Sequence, residues 1–264
     1  MKQNLTATKV LIGINVIAFL LWSQLARTPQ QADPFSLYLF ENENFRVWQF
    51  LTSMFMHANF SHLLMNMFGL FMFGEVLERM WGSKRFVFFY LITGLGAGLI
   101  YSGVTTFEVH SGIQKLVEQG FQPQALEQGM RIAEGNAALM TMIQGFVGEV
   151  TTDQGKQLAE LYLNFNTRVV GASGAIYGIL TAFGLLFPNA KLALIFLPVP
   201  VAAKYFIPGL LLLDLFSGVT GFSIFGGGIA HFAHLGGALI GFLLMLYWRN
   251  LAKPLPQNLQ GFTD

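Results

Sequence analysis

Apolar residues fill six stretches of this chain almost without interruption, near residues 9–25, 50–74, 86–105, 169–188, 196–218 and 226–248. A membrane-crossing helix needs roughly 20 mainly apolar residues. The pattern therefore predicts an all-α, polytopic membrane protein with six spans, its membrane domain over residues 1–252 and a short disordered tail over 253–264, where Pro254 and Pro256 follow Lys253. The first stretch is short and flanked by Lys2 and Lys9. Ser23-Gln24-Leu25-Ala26 is a poor cleavage site, so a retained anchor is expected rather than a removed signal peptide. In the second stretch His57, Asn59, Ser61, His62 and Asn66 interrupt Phe, Leu and Met, which predicts a helix with one face turned to protein or to a water-filled cavity. Pro198, Pro200 and Pro208 predict an irregular entry to the fifth span and a kinked or late helix.

Between the third and fourth spans, residues 106–168 are long and polar. Gln114 to Phe121 and Gln124 to Phe146 carry apolar residues at amphipathic helical spacing, so a helical cap is expected there. Charge gives an orientation. Lys2, Lys9, Arg79, Lys84, Arg85, Lys191, Arg249 and Lys253 fall in alternate connections, which predicts both termini on the cytoplasmic side. The 106–168 loop then lies outside, and its four basic residues against seven acidic ones fit translocation. A bacterial inner membrane is the expected location.

Composition narrows the classes. Of 264 residues, 53% are hydrophobic and 11% charged, against about 25% charged in soluble domains, so the chain cannot cover itself with a hydrated surface. A net charge of +1 with no clustered basic face excludes nucleic acid as a partner. Absence of cysteine excludes thiolate chemistry.

Polar residues inside apolar stretches are costly and mark candidate sites. Ser173 stands between glycines in Gly171-Ala172-Ser173-Gly174, and four of the five histidines (His57, His62, His231 and His234) fall in predicted spans. With the predicted orientation, Ser173, His57, His62, His231 and His234 all come to one depth near the outer face. A serine hydroxyl needs a base to become a nucleophile, and histidine is the usual one. No acidic residue accompanies His234 in its own segment, so a Ser-His dyad is the economical reading. His62 and Asn66, four apart, share a helix face and could stabilise an oxyanion together with the Ser173 backbone N–H. Tyr177 shares a face with Ser173 and could stack on the histidine. Asp214 is expected at the outer end of span five, solvated, the alternative being contact with the site or a substrate gate. His57 is expected to support the outer end of span two.

The set Gly171-Ala172-Ser173-Gly174 with Tyr177, His57-x4-His62-x3-Asn66, and Ala233-His234-Leu235-Gly236-Gly237 with Gly241 resembles the rhomboid family of intramembrane serine proteases. That resemblance implies Ser173 as nucleophile, His234 rather than His231 as base, an oxyanion contribution from His62 and Asn66, and Gly237 and Gly241 as small residues packing span six on span four. It also implies hydrolysis of membrane-protein substrates within their transmembrane helices near the outer interface, with no cofactor and no metal. Glu78 resembles the family's acidic residue after span two, with a structural role. Two departures stand out: Trp48-Gln49 where the family often has Trp-Arg, and the length of the loop after span three. Alternatives are an inactive rhomboid-like chaperone or adaptor, a histidine-relay transporter, and a metal site built from the four histidines.

Overall fold

The structure, a computed structural model, describes residues 6–24, 33–133, 135–194, 197–222 and 230–248. The expected tail over 253–264 and much of the loop before span six lie outside the described residues. The chain divides into two compact units, one comprising Met1–Leu25, Ser53–Tyr101 and Val170–Asp264, the other Ala26–Thr52 and Ser102–Val169.

The first unit is the apolar bundle. It contains α1 (Ala7–Gln24), α3 (Phe60–Gly69), α4 (Glu75–Trp81), the first half of α5 (Ser83–Glu118), α9 (Ser173–Leu186), strands β1 (Lys191–Leu194) and β2 (Leu197–Ala202), α10 (Ala203–Thr220) and α11 (His231–Trp248). Among the described residues, Phe60–Trp81, α5, α10 and α11 are long and apolar enough to cross a membrane, while Ala7–Trp22 and α9 are apolar but shorter. This is the expected polytopic helical bundle.

Three boundaries differ from the sequence pattern, each for a local reason. The second span starts at Phe60, not residue 50, because Asn59 caps it. Asn59 is extended (φ −158°) and its side chain accepts the His62 N–H, 2.9 Å away. The preceding chain forms α2 (Gln49–Thr52) and a 3₁₀ turn, Ser53–Phe55, which leaves His57 ahead of the helix rather than on it. A π-helical turn, Leu70–Gly74, joins α3 to α4. The third span does not stop near residue 105 but runs to Glu118, so the expected loop begins as helix. In the fifth span, β1 and β2 pair as an antiparallel hairpin, Lys191 opposite Ala202, and α10 begins only afterwards, as the prolines imply.

The centre of the bundle is α9, buried over Gly174–Ile176 and Gly178–Phe183. It meets α11 backbone to backbone. A Cβ at Gly237 would lie 1.9 Å from the Gly174 carbonyl oxygen, and one at Gly241 only 2.7 Å from the Gly178 Cα. Gly178 itself packs on Thr93 and Gly236 on Ile100, which brings α5 against the same seam. At the other end, buried Glu78 fastens three helices. Its Oε1 accepts the Ala7 N–H (2.7 Å) and the Ser83 hydroxyl (2.5 Å), and its Oε2 accepts the Thr8 N–H (2.8 Å) and hydroxyl (2.7 Å). The carboxylate thus satisfies free first-turn N–H groups of α1, where the helix dipole also favours negative charge.

The second unit has its own apolar core, in which Leu39, Val109, Leu116, Leu126, Leu139, Ile143, Leu158 and Phe165 are buried. It holds α2, the end of α5, α6 (Pro123–Ile132), α7 (Asn136–Val147) and α8 (Thr152–Asn166). The expected helices of this segment are therefore present but divided differently, and α8 comes in addition. Thr151 and Gln154 form a capping box that starts α8. Gln49, at the departure from Trp-Arg, is fully buried. Its Oε1 accepts from the Arg46 N–H at 3.1 Å, and its Nε2 donates to the Asn44 carbonyl at 2.9 Å. An amide that both accepts and donates can tie two strands of a loop, which a guanidinium, donor only, would do differently.

Two outcomes follow. Gly237→Ala lowers the thermal midpoint of the purified protein strongly, by the equivalent of about 3 kcal/mol as expected for overpacking against backbone, while Gly13→Ala, which meets nothing within 4 Å, leaves it unchanged. Glu78→Gln puts an amide N–H against the donors that Glu78 now accepts, and destabilises by about 3 kcal/mol, the scale of buried bonds to a charged group. Melting curves in detergent decide both.

Candidate active site

Ser173 is the first residue of α9, and the chain reaches it through Gly171 at φ 121°, a conformation that L side chains rarely adopt. The Gly171 N–H donates to the Ser53 carbonyl at 2.9 Å, which pins this turn to the 3₁₀ segment. The Ile176 N–H already reaches back to the Ala172 carbonyl, so the N–H groups of Ser173, Gly174 and Ala175 are the free first-turn donors of α9. They are what a helix N-terminus offers to developing negative charge.

His234 stands in the first turn of α11. Its Nε2 and the Ser173 Oγ are 2.9 Å apart, a hydrogen bond between side chains 61 residues apart in the chain. The Tyr177 ring, one turn along α9 from Ser173, stacks on the imidazole with centroids 4.2 Å apart and planes 11° from parallel. Serine, histidine and tyrosine thus come together as the spacing suggested.

On the third side lies α3. A Cβ at Gly171 would fall 2.7 Å from the His62 ring and 3.5 Å from Asn66 Nδ2, so both polar side chains lie against the turn that leads into Ser173. Asn66 is buried, and its Nδ2 has no hydrogen-bond partner among the described residues. His57 stacks edge-on against His62 with centroids 5.1 Å apart. It is buried, and neither ring nitrogen has a partner among the described residues.

The expectation for Asp214 is overturned. It is not solvated at the end of its span but 5% exposed, within α10, where Leu210, Leu213, Ser217 and the two histidines of α11 surround a cavity of about 90 Å³. Its Oδ1 is 2.5 Å from His231 Nδ1 and 3.2 Å from His234 Nδ1. Reading each helix by itself missed this, because the acid lies 20 residues before His234 on a different helix. The available signal was the rule that an ionisable residue in an apolar run is expected to have a partner.

The donor atoms of Asp214, His231 and His234 all lie within 4.8 Å of one another, close enough in principle for a metal ion. The alternative of a metal site built from the four histidines finds no such cluster among the described residues. In the arrangement seen, His234 turns its Nε2 to Ser173 and its Nδ1 to the carboxylate, so hydrogen bonding accounts for both nitrogens.

Comparison with known proteins agrees with the fold. A Rhomboid domain profile matches residues 44–114 and 125–250. Over 237 residues, 90% of its length, the chain is 27% identical to Rhomboid protein 1, mitochondrial, of Saccharomyces cerevisiae, and covers 51% of that protein. It is 26% identical over 249 residues, 91% of its length, to the human Presenilin-associated rhomboid-like protein, mitochondrial, covering 49% of it. It is 24% identical over 261 residues, 92% of its length, to Rhomboid protease AarA of Providencia stuartii, covering 71%. The chain thus spans only about half the length of the two mitochondrial relatives. With the profile covering most of its residues and the apolar bundle arranged as described, the chain belongs to the rhomboid family.

Proposed function

We propose that this protein is an intramembrane serine endopeptidase. The observation that carries the reading is the 2.9 Å hydrogen bond between Ser173 Oγ and His234 Nε2 at the free N-terminus of α9. A serine half-buried in an apolar helix bundle gains little from a single imidazole unless its proton is to be removed. The rhomboid family holds both intramembrane serine proteases and inactive relatives, and retention of this pair favours the first.

The chemistry follows from the placement. Ser173 Oγ attacks a peptide carbonyl carbon of the substrate while His234 Nε2 takes the hydroxyl proton. The carbonyl oxygen becomes an oxyanion, which the Ser173 N–H, Asn66 Nδ2 and His62 would stabilise. The buried, unpartnered Nδ2 of Asn66 fits this task, since a donor held without a partner costs stability until the oxyanion supplies one. As the C–N bond breaks, His234 passes the proton to the leaving amine. Water then attacks the Ser173 ester, again with His234 as base, and releases the new carboxylate. No cofactor enters.

Substrates are membrane proteins cleaved in a transmembrane helix near an interface. An intact helix shields its carbonyls, so helix-breaking small residues near the scissile bond are expected. Entry between α10 and α11, where the connecting segment is rich in Gly and Phe, is part of the same reading. So are the orientation drawn from the Lys and Arg bias, with the site toward the outer face and both termini cytoplasmic, and a bacterial inner membrane as location.

Two outcomes test the proposal. Purified protein in liposomes should cleave a single-span model substrate, and Ser173→Ala and His234→Ala should each lose cleavage by at least about 10³-fold, the scale of losing a nucleophile or its base. Equal cleavage by wild type and Ser173→Ala sinks the reading. Gly171→Ala must adopt a strained backbone and displace His62. It is expected to slow fluorophosphonate labelling of Ser173 at least about tenfold, equivalent to about 1.4 kcal/mol in the barrier.

A further inference from the structure

Among the described residues, Asp214 is the one buried acid in the bundle that faces ring nitrogens rather than backbone N–H groups. An ionised carboxylate only accepts hydrogen bonds, so an imidazole nitrogen bonded to it must carry a proton. At His234 this fixes the tautomer. With the proton on Nδ1, toward Asp214 Oδ1 at 3.2 Å, the lone pair is on Nε2, toward Ser173 Oγ at 2.9 Å. That is the form a general base requires, and the opposite tautomer would place an N–H against the serine. Tyr177, stacked flat on the same ring, holds its plane but cannot choose between the tautomers.

We propose that Asp214 is a positioning residue for His234, so that the site works as a Ser173–His234–Asp214 line rather than a dyad, and that His231 competes for the same carboxylate oxygen. This rests on the proteolytic reading of Ser173 and His234 and adds a third member to it. When the Ser173 proton passes to Nε2, the Nδ1 proton stays on His234 and the imidazolium charge faces the carboxylate. When Nε2 gives its proton to the leaving amine, the starting tautomer returns. Asp214 donates and accepts no proton.

The competing explanation is that Asp214 exists only to satisfy His231, whose Nδ1 is closer at 2.5 Å. Two features favour a role at His234. Both rings share the single oxygen Oδ1, so the carboxylate is not used up by His231. The carboxylate also faces Tyr177, the ring stacked on His234, so it is tied to that side of the site as well as to His231. The titratable groups facing Asp214 are His231 and His234 on α11 and Tyr177 on α9.

The test uses the full chain in detergent, with a single-span substrate for turnover and a fluorophosphonate probe for Ser173. Asp214→Asn is expected to lower kcat at least about a hundredfold with KM changed less than about threefold, to slow labelling by the same factor, and to move the acidic limb of the pH profile; the loss of about 10⁴-fold that a wrong tautomer causes in a Ser-His-Asp protease bounds the effect from above. Asp214→Glu recovers part of the rate. The double variant Asp214→Asn with His231→Ala separates the explanations: it stays as slow as Asp214→Asn if the carboxylate acts through His234, and a return to near the wild-type rate would assign Asp214 to His231 alone and overturn the proposal. Turnover by Asp214→Asn within about threefold of wild type overturns it as well. Should Asp214→Asn fail to fold, His231→Ala decides: with His234 left as the sole ring on Oδ1 it turns over at the wild-type rate or faster, and a tenfold fall overturns the inference. A wild-type protein that neither cleaves nor labels removes the protease reading itself, whereas an active wild type beside a fully active Asp214→Asn removes only this inference.

Discussion

The backbone contact between α9 and α11 is the constraint on which the rest of the bundle depends. Among apolar helices in lipid there is little hydrophobic gain from association, so close packing at small residues carries the contact. Gly174 and Gly178 on one helix meet Gly237 and Gly241 on the other at distances that leave no room for a methyl group. Ser173 is adjacent to the first of these glycines, and His234 is one turn before its partner Gly237. The 2.9 Å hydrogen bond between their side chains is therefore set by the helix seam and not by the flexibility of either side chain. Any substituent that opens the seam lengthens that bond first, because Ser173 and His234 stand at the end of the contact.

A second constraint comes from length. With a rise of 1.5 Å per residue, the 14 residues of α9 extend roughly 21 Å, against about 30 Å for the hydrocarbon layer. Part of that span must be crossed by non-helical chain, and Val170 to Ala172 supply it. Irregular backbone at such depth is tolerated only where protein or water satisfies it. Here the Gly171 N–H finds the Ser53 carbonyl, while His62 and Asn66 stand beside the turn. A shortened central helix thus puts a free helix N-terminus, with its unpaired N–H groups, inside an otherwise apolar bundle. The same feature that would be a defect in a plain membrane anchor makes a polar chamber.

Much of this was legible in the sequence, and the omissions have physical causes. Ser173, His234, His62, Asn66 and Tyr177 are readable because a polar residue in an apolar run stands out and i, i+4 spacing places pairs on one face. The seam was readable from Gly237 and Gly241. Asp214 was misplaced because hydropathy treats a charge near a helix end as solvated, whereas its partners are on a neighbouring helix and only packing reveals them. His57 was assigned to a helix because apolar neighbours hide the effect of Asn59, whose extended backbone and side-chain cap start α3 later. Helix α8 was overlooked although Thr151-x-x-Gln154 carries a capping-box signal, since its surroundings are polar and show no membrane-like run. Gln49 shows a limit of family patterns: an amide in place of the usual arginine still anchors its loop, through bonds that its own geometry permits.

Two buried acids of the bundle, Glu78 and Asp214, show how the same group serves different ends. Glu78 is satisfied by backbone N–H groups and hydroxyls from α1 and α5, none of which changes its protonation in ordinary conditions. Its bonds tie helix ends together, and nothing about them responds to a proton moving elsewhere. Asp214 is bonded instead to two imidazoles, whose charge and tautomer can change. A carboxylate held by such partners is coupled to proton transfer whether or not it takes part, because a proton arriving on either ring alters its electrostatic environment at once. Burial does not separate these roles, being nearly the same at 6% and 5% exposure. The partner's chemistry separates them. Fixed donors make the carboxylate a fastener, and imidazole donors couple it to the protonation of the rings it holds.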